Sequence, residues 1–165
     1  MEPEARSTPT DAIERPSLSE LLQCPAEANA LLNDSTTCLS FDTGEVVFAQ
    51  GGKSEGLYVV ISGQFARKAQ RLQSRVMLTP ARPGDLVELA AALGDGCHTY
   101  TMTAQDPGSL LLIRIDALRA AFQSYPPLRM QLLEELAREV SRAYRACCQS
   151  RTVRTRRRNV QAATA

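Results

Sequence analysis

Residues 84–99 read GDLVELAAALGDGCHT, and the contrast between this stretch and its neighbours decides the fold. Within it, Leu86–Leu93 is rich in Ala and Leu, side chains that lose little freedom in a helix. Gly94-Asp95-Gly96 then ends the segment. On both sides the pattern is different. Short runs of Val, Ile, Leu, Tyr and Phe predict strands near 38–42, 45–49, 57–62, 64–70, 75–80, 99–105 and 109–115. Gly44, Gly51-Gly52, Gly56, Gly63, Pro83-Gly84 and Pro107-Gly108 supply the turns between them. A small helix is therefore expected inside an otherwise β region, and evenly spaced strands predict a sandwich, roll or barrel.

Helices are expected at both ends of this β region. Ser17 and Glu20 form a capping-box pattern ahead of a short helix burying Leu18, Leu21 and Leu22, and Pro25 stops it. Residues 26–32 (AEANALL) read as a second short helix, and Asp116 as the cap of another reaching about Ser124. Tyr125-Pro126-Pro127 restarts the chain, because proline suits a first helical turn. A long helix without Gly or Pro follows, to about residue 151. Leu133, Leu136, Val140, Ala143 and Cys147 step along it by 3, 4, 3 and 4, the spacing of a coiled-coil seam. This stripe predicts a homodimer; the competing reading is a helix laid on its own β domain.

With these elements in order, FDTGEVVFAQGG (41–52), LYVVISG (57–63) and RPGD (82–85) ahead of a Glu-headed short helix resemble the effector domain of the CRP/FNR regulators. The resemblance spans roughly residues 30–150, and Gly44, Gly51, Gly63 and Gly84 carry it as positions where φ is expected to be positive. It implies an α+β, mainly β fold: a double-stranded β-helix, or jelly-roll-like β-roll, with an inserted helix and a long C-terminal dimerisation helix. In that family the inserted helix and its flanking loop bind a cyclic phosphate, through backbone amides and an Arg. A Glu meets the ribose, a neighbouring hydroxyl assists, and residues of the long helix reach the base.

Carried over position by position, the resemblance makes Val87, Glu88, Leu89, His98, Thr99, Ala143 and Tyr144 the candidate ligand-binding residues. Several depart from the pattern. The Arg position falls on His98, the Gly before the Glu is Val87, and the small hydroxyl residues of the long helix become Ala143 and Tyr144. A mostly neutral imidazole does not replace a permanent guanidinium, and losing that charged contact alone forfeits about 1.5–3 kcal/mol. The expectation is a degenerate pocket that is not an ordinary cyclic-AMP site. It is either empty or holds a cyclic nucleotide or other small anionic ligand in a changed way. Plainer roles stand beside these. Glu88 can simply cap the inserted helix, His98 can sit in a loop bonded to backbone or water, and Thr99 can be a strand residue.

Composition bounds the rest. The chain has 165 residues, 44% hydrophobic, enough for one core. Five cysteines, an odd number with no CxxC, argue against a disulfide framework and a zinc site and for reduced thiols in the cytoplasm. Cys24 and Cys38 are too far apart for an iron–sulfur motif, which leaves haem ligation by Cys97 or His98 as a remote alternative. Cys147, on the seam, would face its twin in a parallel dimer. No catalytic motif is present, so no enzyme is expected. Residues 1–16 are polar and Pro-rich and predicted to be disordered, followed by the β-roll with its flanking helices (17–124) and the long helix (125–151). Residues 152–165 form a basic tail, predicted to be disordered. Arg67, Lys68, Arg71 and Arg75 read as a solvated hairpin face. The family continues into a winged helix-turn-helix domain, for which the remaining residues leave no room. The chain is then either a fragment of a longer regulator or, the expectation favoured here, a stand-alone sensor, with DNA binding limited to weak, non-specific contacts of the Arg-rich tail. The alternative is a scaffold module with an empty pocket, binding a partner protein or nucleic acid through its helix and tail.

Overall fold

In the computed structural model, residues 18–71 and 74–162 are described, with the side chains of Ser19, Arg71, Ser74, Cys147 and residues 149–162 outside that description. The expected disordered segment 1–16 and Ser17 of the capping box lie outside the described residues. Helices α1 (Leu18–Leu22) and α2 (Ala26–Asn33) lead into strands β1 (Thr36–Phe41), β2 (Val46–Phe48), β3 (Gly56–Ser62), β4 (Phe65–Arg71) and β5 (Ser74–Met77). Then come β6 (Leu86–Val87), α3 (Leu89–Leu93), β7 (Thr101–Ala104), β8 (Gly108–Arg114), α4 (Ile115–Ser124) and α5 (Pro126–Ala162).

The strands form two four-stranded antiparallel sheets, β1-β8-β3-β6 and β2-β7-β4-β5, packed as a jelly-roll-like β-roll. β3 and β8 are the centre of the first sheet and are covered on both faces. Tyr58, Val60, Leu110 and Leu112 point between the sheets, with Phe65 and Met102. Leu57, Val59, Leu111 and Ile113 point the other way, onto a layer built by Leu22, Leu32, Leu118 and Leu128. Burial on both faces is why LYVVI and LLLI are continuous apolar runs rather than alternating ones. Gly63 turns β3 into β4 with φ of 79°, and a Cβ there would lie 2.7 Å from the Cα of Gly108, so the turn needs glycine.

Three local expectations change. Leu86–Leu93 is not one helix: Leu86 and Val87 pair with Val59 and Tyr58, and the helix begins only at Leu89. Between them Glu88 has φ of 70° and makes no side-chain cap, so its role is not helix capping. The pairing removes two residues from the helix, and the left-handed turn reverses the chain. Asp116 lies within the first turn of α4, whose cap position is Arg114, and no side chain caps it. Finally, the backbone of α5 is helical to Ala162, past the expected end near 151 and through the stretch set apart as a tail. That stretch has no Gly or Pro and is rich in Arg, a good helix former. Among the described residues no helix is long and apolar enough to cross a membrane.

Candidate functional site

A cavity of about 240 Å³ lies between the inserted segment and α5. Glu88, Leu89 and Ala90 form one wall. Thr99 and Tyr100, at the entry to β7, and Leu78, just after β5, continue it. Leu136, Glu139, Val140 and Ala143 of α5 close it. The lining is mostly apolar, and among the described residues its acidic side chains are Glu88 and Glu139.

Glu88 is the centre of the site. The left-handed turn carries its side chain inward, where it is 2% exposed. One carboxylate oxygen lies 3.0 Å from His98 Nδ1, and the Thr99 hydroxyl donates to the other at 3.5 Å. Burial pushes the Glu88 carboxyl up to about 7, against the hydrogen bonds from Thr99; nearby Glu139 raises it further and Arg67 opposes. His98 is 5% exposed and its ring stacks on Phe48 at 3.9 Å between centroids. Burial lowers its pKa, with Glu55 opposing, so imidazole and carboxyl are both held toward their uncharged forms. The backbone of His98 bonds Gly51 and Gly52, which fixes the loop.

A second polar group ties the strands to α5. Arg67 of β4 donates through Nη1 to Glu139 at 2.6 Å and through Nε to the Thr79 carbonyl at 2.7 Å, and its guanidinium lies 5.4 Å from the Tyr100 ring centre. It is largely buried, which corrects its place on a solvated hairpin face; Lys68 and Arg75 of the same hairpin are exposed, and the Arg71 side chain lies outside the described residues. Burial would lower the Arg67 pKa, but Tyr100 and Glu139 outweigh it. Tyr100 is pushed above its ordinary range by burial first and by Glu88 second. Its buried hydroxyl lies beside Arg67, whose charge and hydrogen bond oppose that rise.

The structure brings Glu88, Leu89, Thr99 and Ala143 of the candidate set to the cavity. It does not bring Val87, His98 or Tyr144. Val87 pairs with Tyr58 and is buried between the sheets; His98 lies behind Glu88; Tyr144 is 71% exposed. Leu136 and Val140, assigned to the dimer seam, also line the cavity, and Leu136 packs on the chain's own core with Leu128 and Leu132. The competing reading of α5 therefore holds for its first turns. Leu133 is half-buried, and the Cys147 side chain lies outside the described residues. Glu139 and Tyr100 were missed. Glu139 was legible, since it stands one helical turn before Ala143; Tyr100 and Arg67 carry no local signal. Among the described residues no cluster of His, Cys, Asp and Glu is placed to hold a metal.

A two-sheet roll with an inserted helix facing a long C-terminal helix places the chain in the class of jelly-roll-like β-roll domains. The profile described as the cyclic nucleotide-binding domain matches residues 38–125, more than half of the chain, so the chain belongs to that family. It is 30% identical over 117 residues to the CRP-like cAMP-activated global transcriptional regulator of Mycobacterium tuberculosis, covering 70% of this chain and 52% of that protein. The chain thus spans about half the length of the curated relatives it matches. The Thermus thermophilus catabolite activator protein is 22% identical with a TM-score of 0.65, over 76% of this chain and 59% of that one. The sensor domain of the regulator DNR from Pseudomonas aeruginosa is also 22% identical, with a TM-score of 0.64, over 76% and 89% of the two chains. At that identity the two structures establish the shared fold.

Proposed function

We propose that this chain is the ligand-sensing regulatory domain of a CRP/FNR-type transcriptional regulator. In this reading it is cytoplasmic, non-catalytic and homodimeric through α5, with a cassette that no longer takes cyclic AMP in the ordinary way. The observation that carries it is the state of His98. The position that supplies the phosphate-binding guanidinium in the family is here an imidazole buried behind Glu88 and bonded to it. A cyclic phosphate entering the cavity would meet Glu88 and Glu139 and, among the described residues, no cation on the lining. At an effective dielectric of about 20, an ionised carboxylate about 5 Å from the phosphate disfavours it by about 3 kcal/mol. The Glu88 pKa near 7 softens this only as far as the carboxyl is protonated.

Signalling in this reading runs through α5. The cavity is closed by Leu136, Glu139, Val140 and Ala143, so a ligand presses on the helix between its buried start and its exposed continuation. Occupancy shifts a population only if the ligand prefers one setting of α5, and the Arg67–Glu139 pair is the contact by which the strands hold that setting. The test is a mass measurement with and without nucleotide. The expected result is a dimer of the 18.0 kDa chain whose melting temperature does not move with millimolar cyclic AMP. A monomer removes the α5 dimer; a saturable rise in melting temperature with cyclic AMP removes the altered cassette.

A further inference from the structure

Glu88 is a buried acid wedged between a fixed loop and the helix by which the domain would signal. Its side chain has no solvent exposure. Its two oxygens face His98 Nδ1 at 3.0 Å and the Thr99 hydroxyl at 3.5 Å. The backbone that turns it inward is left-handed, with φ of 70°. A residue with a Cβ keeps that conformation only where its surroundings hold it there. On its other side Glu88 shares the cavity wall with Glu139 of α5. Glu139 is in turn gripped by Arg67 of β4, which is anchored on the Thr79 carbonyl and lies against Tyr100. The charged and titratable groups acting on Glu88 thus come from every side. They are His98 and Tyr100 ahead of β7, Tyr58 of β3, Arg67 of β4 and Glu139 of α5. Glu55, ahead of β3, acts on Tyr58 and His98. Arg67 is the permanent cation of this group, and it is committed to Glu139.

We propose that Glu88 and His98 form a buried proton switch that sets how firmly α5 is held at Glu139. With Glu88 protonated, its O–H donates to His98 Nδ1, the imidazole carries its own proton on Nε2, and Arg67 serves Glu139 alone. When Glu88 gives its proton to solvent, the imidazole releases the Nε2 proton and is reprotonated at Nδ1, from which it donates to the new carboxylate. One proton is lost in all. The new anion repels Glu139 and competes with it for Arg67, and away from water both effects are strong. The grip of the strands on α5 weakens as a result. Burial sets where this happens, by pushing the Glu88 carboxyl up to about 7 against the bonds from Thr99. The input is a proton and not a ligand, so the switch goes beyond the sensor reading and does not depend on it.

The experiment is an NMR titration of the full chain across neutral pH, without nucleotide. His98 is the only histidine, so its ring nitrogens give one set of signals. The expected result is a move of the ring proton from Nε2 to Nδ1 with a midpoint near pH 7. The methyl signals of Leu136 and Val140 on α5 should shift with the same midpoint. Glu88→Gln, which keeps a partner for His98, should abolish both titrations. Glu139→Gln should move the His98 midpoint to lower pH and flatten the α5 methyls. If either variant fails to fold, the coincidence of midpoints in the unsubstituted chain still decides. A His98 ring that keeps one tautomer throughout, or α5 methyls that do not follow it, overturns the proposal. So does a methyl titration that survives Glu88→Gln. None of these results touches the altered cassette, which is tested by cyclic AMP.

Discussion

The two halves of α5 show how one helix can serve its own domain and then leave it. Leu128, Leu132, Leu136, Val140 and Tyr144 follow one another at four-residue steps, and each step overshoots a full turn by about 40°. The row therefore winds off the β-roll. Leu128 and Leu132 are buried, Leu136 is partly so, Val140 is 59% exposed and Tyr144 more exposed still. The cavity and the Arg67–Glu139 pair lie where the row passes from one condition to the other. An apolar stripe thus reports that a helix has a side to cover, and the winding decides where along it the cover must come from elsewhere.

Breaking the buried half should have the largest effect. Leu128→Ala removes a fully buried side chain from the helix layer, and a loss of about 2–5 kcal/mol in urea unfolding is expected, with no specific effect on self-association. A loss below about 1 kcal/mol would show that the first turns of α5 are not seated as described.

At the junction, Glu88 makes stability depend on pH. Its pKa rises from 4.5 unfolded to about 7 folded, so the folded state holds its proton more tightly. Its contribution is most favourable below pH 4.5 and is lost as pH rises through about 7. His98 acts in the opposite sense: its lowered pKa means stability is lost as pH falls below its ordinary value near 6.5. Glu88→Gln keeps an acceptor for His98 and isolates the first effect. It should stabilise the chain at pH 8 by about 2–3 kcal/mol relative to its effect at pH 4.5. The same change at both pH values would mean that Glu88 is not buried as an acid.

The exposed half should barely register in stability. Val140→Glu is expected to alter the unfolding free energy per chain by no more than about 0.5 kcal/mol, while converting a dimer to a monomer by analytical ultracentrifugation. A dimer that survives the substitution would place the self-association surface elsewhere.

Much of the fold was legible because its signals are local. Strand composition, the turn glycines, the Ala-rich insert and the restart at Pro126 each depend on a few neighbouring residues, and the strands and helices fall close to where these predict them. The two-residue strand β6 was hidden inside the helical pattern, because its pairing with Tyr58 and Val59 overrides the propensity of Leu86 and Val87.

The β-roll, the helix inserted into it and the long helix behind it were all readable from the chain alone, since each is written in contiguous residues. Only the tertiary structure decided what the polar groups do. Arg67 meets Glu139 across 72 positions of sequence and lies against Tyr100, while His98 turns to Glu88 instead of the cavity. Partners so distant in the chain meet only once the sheets have packed, and a buried charge is defined by what then lies within a few ångströms of it.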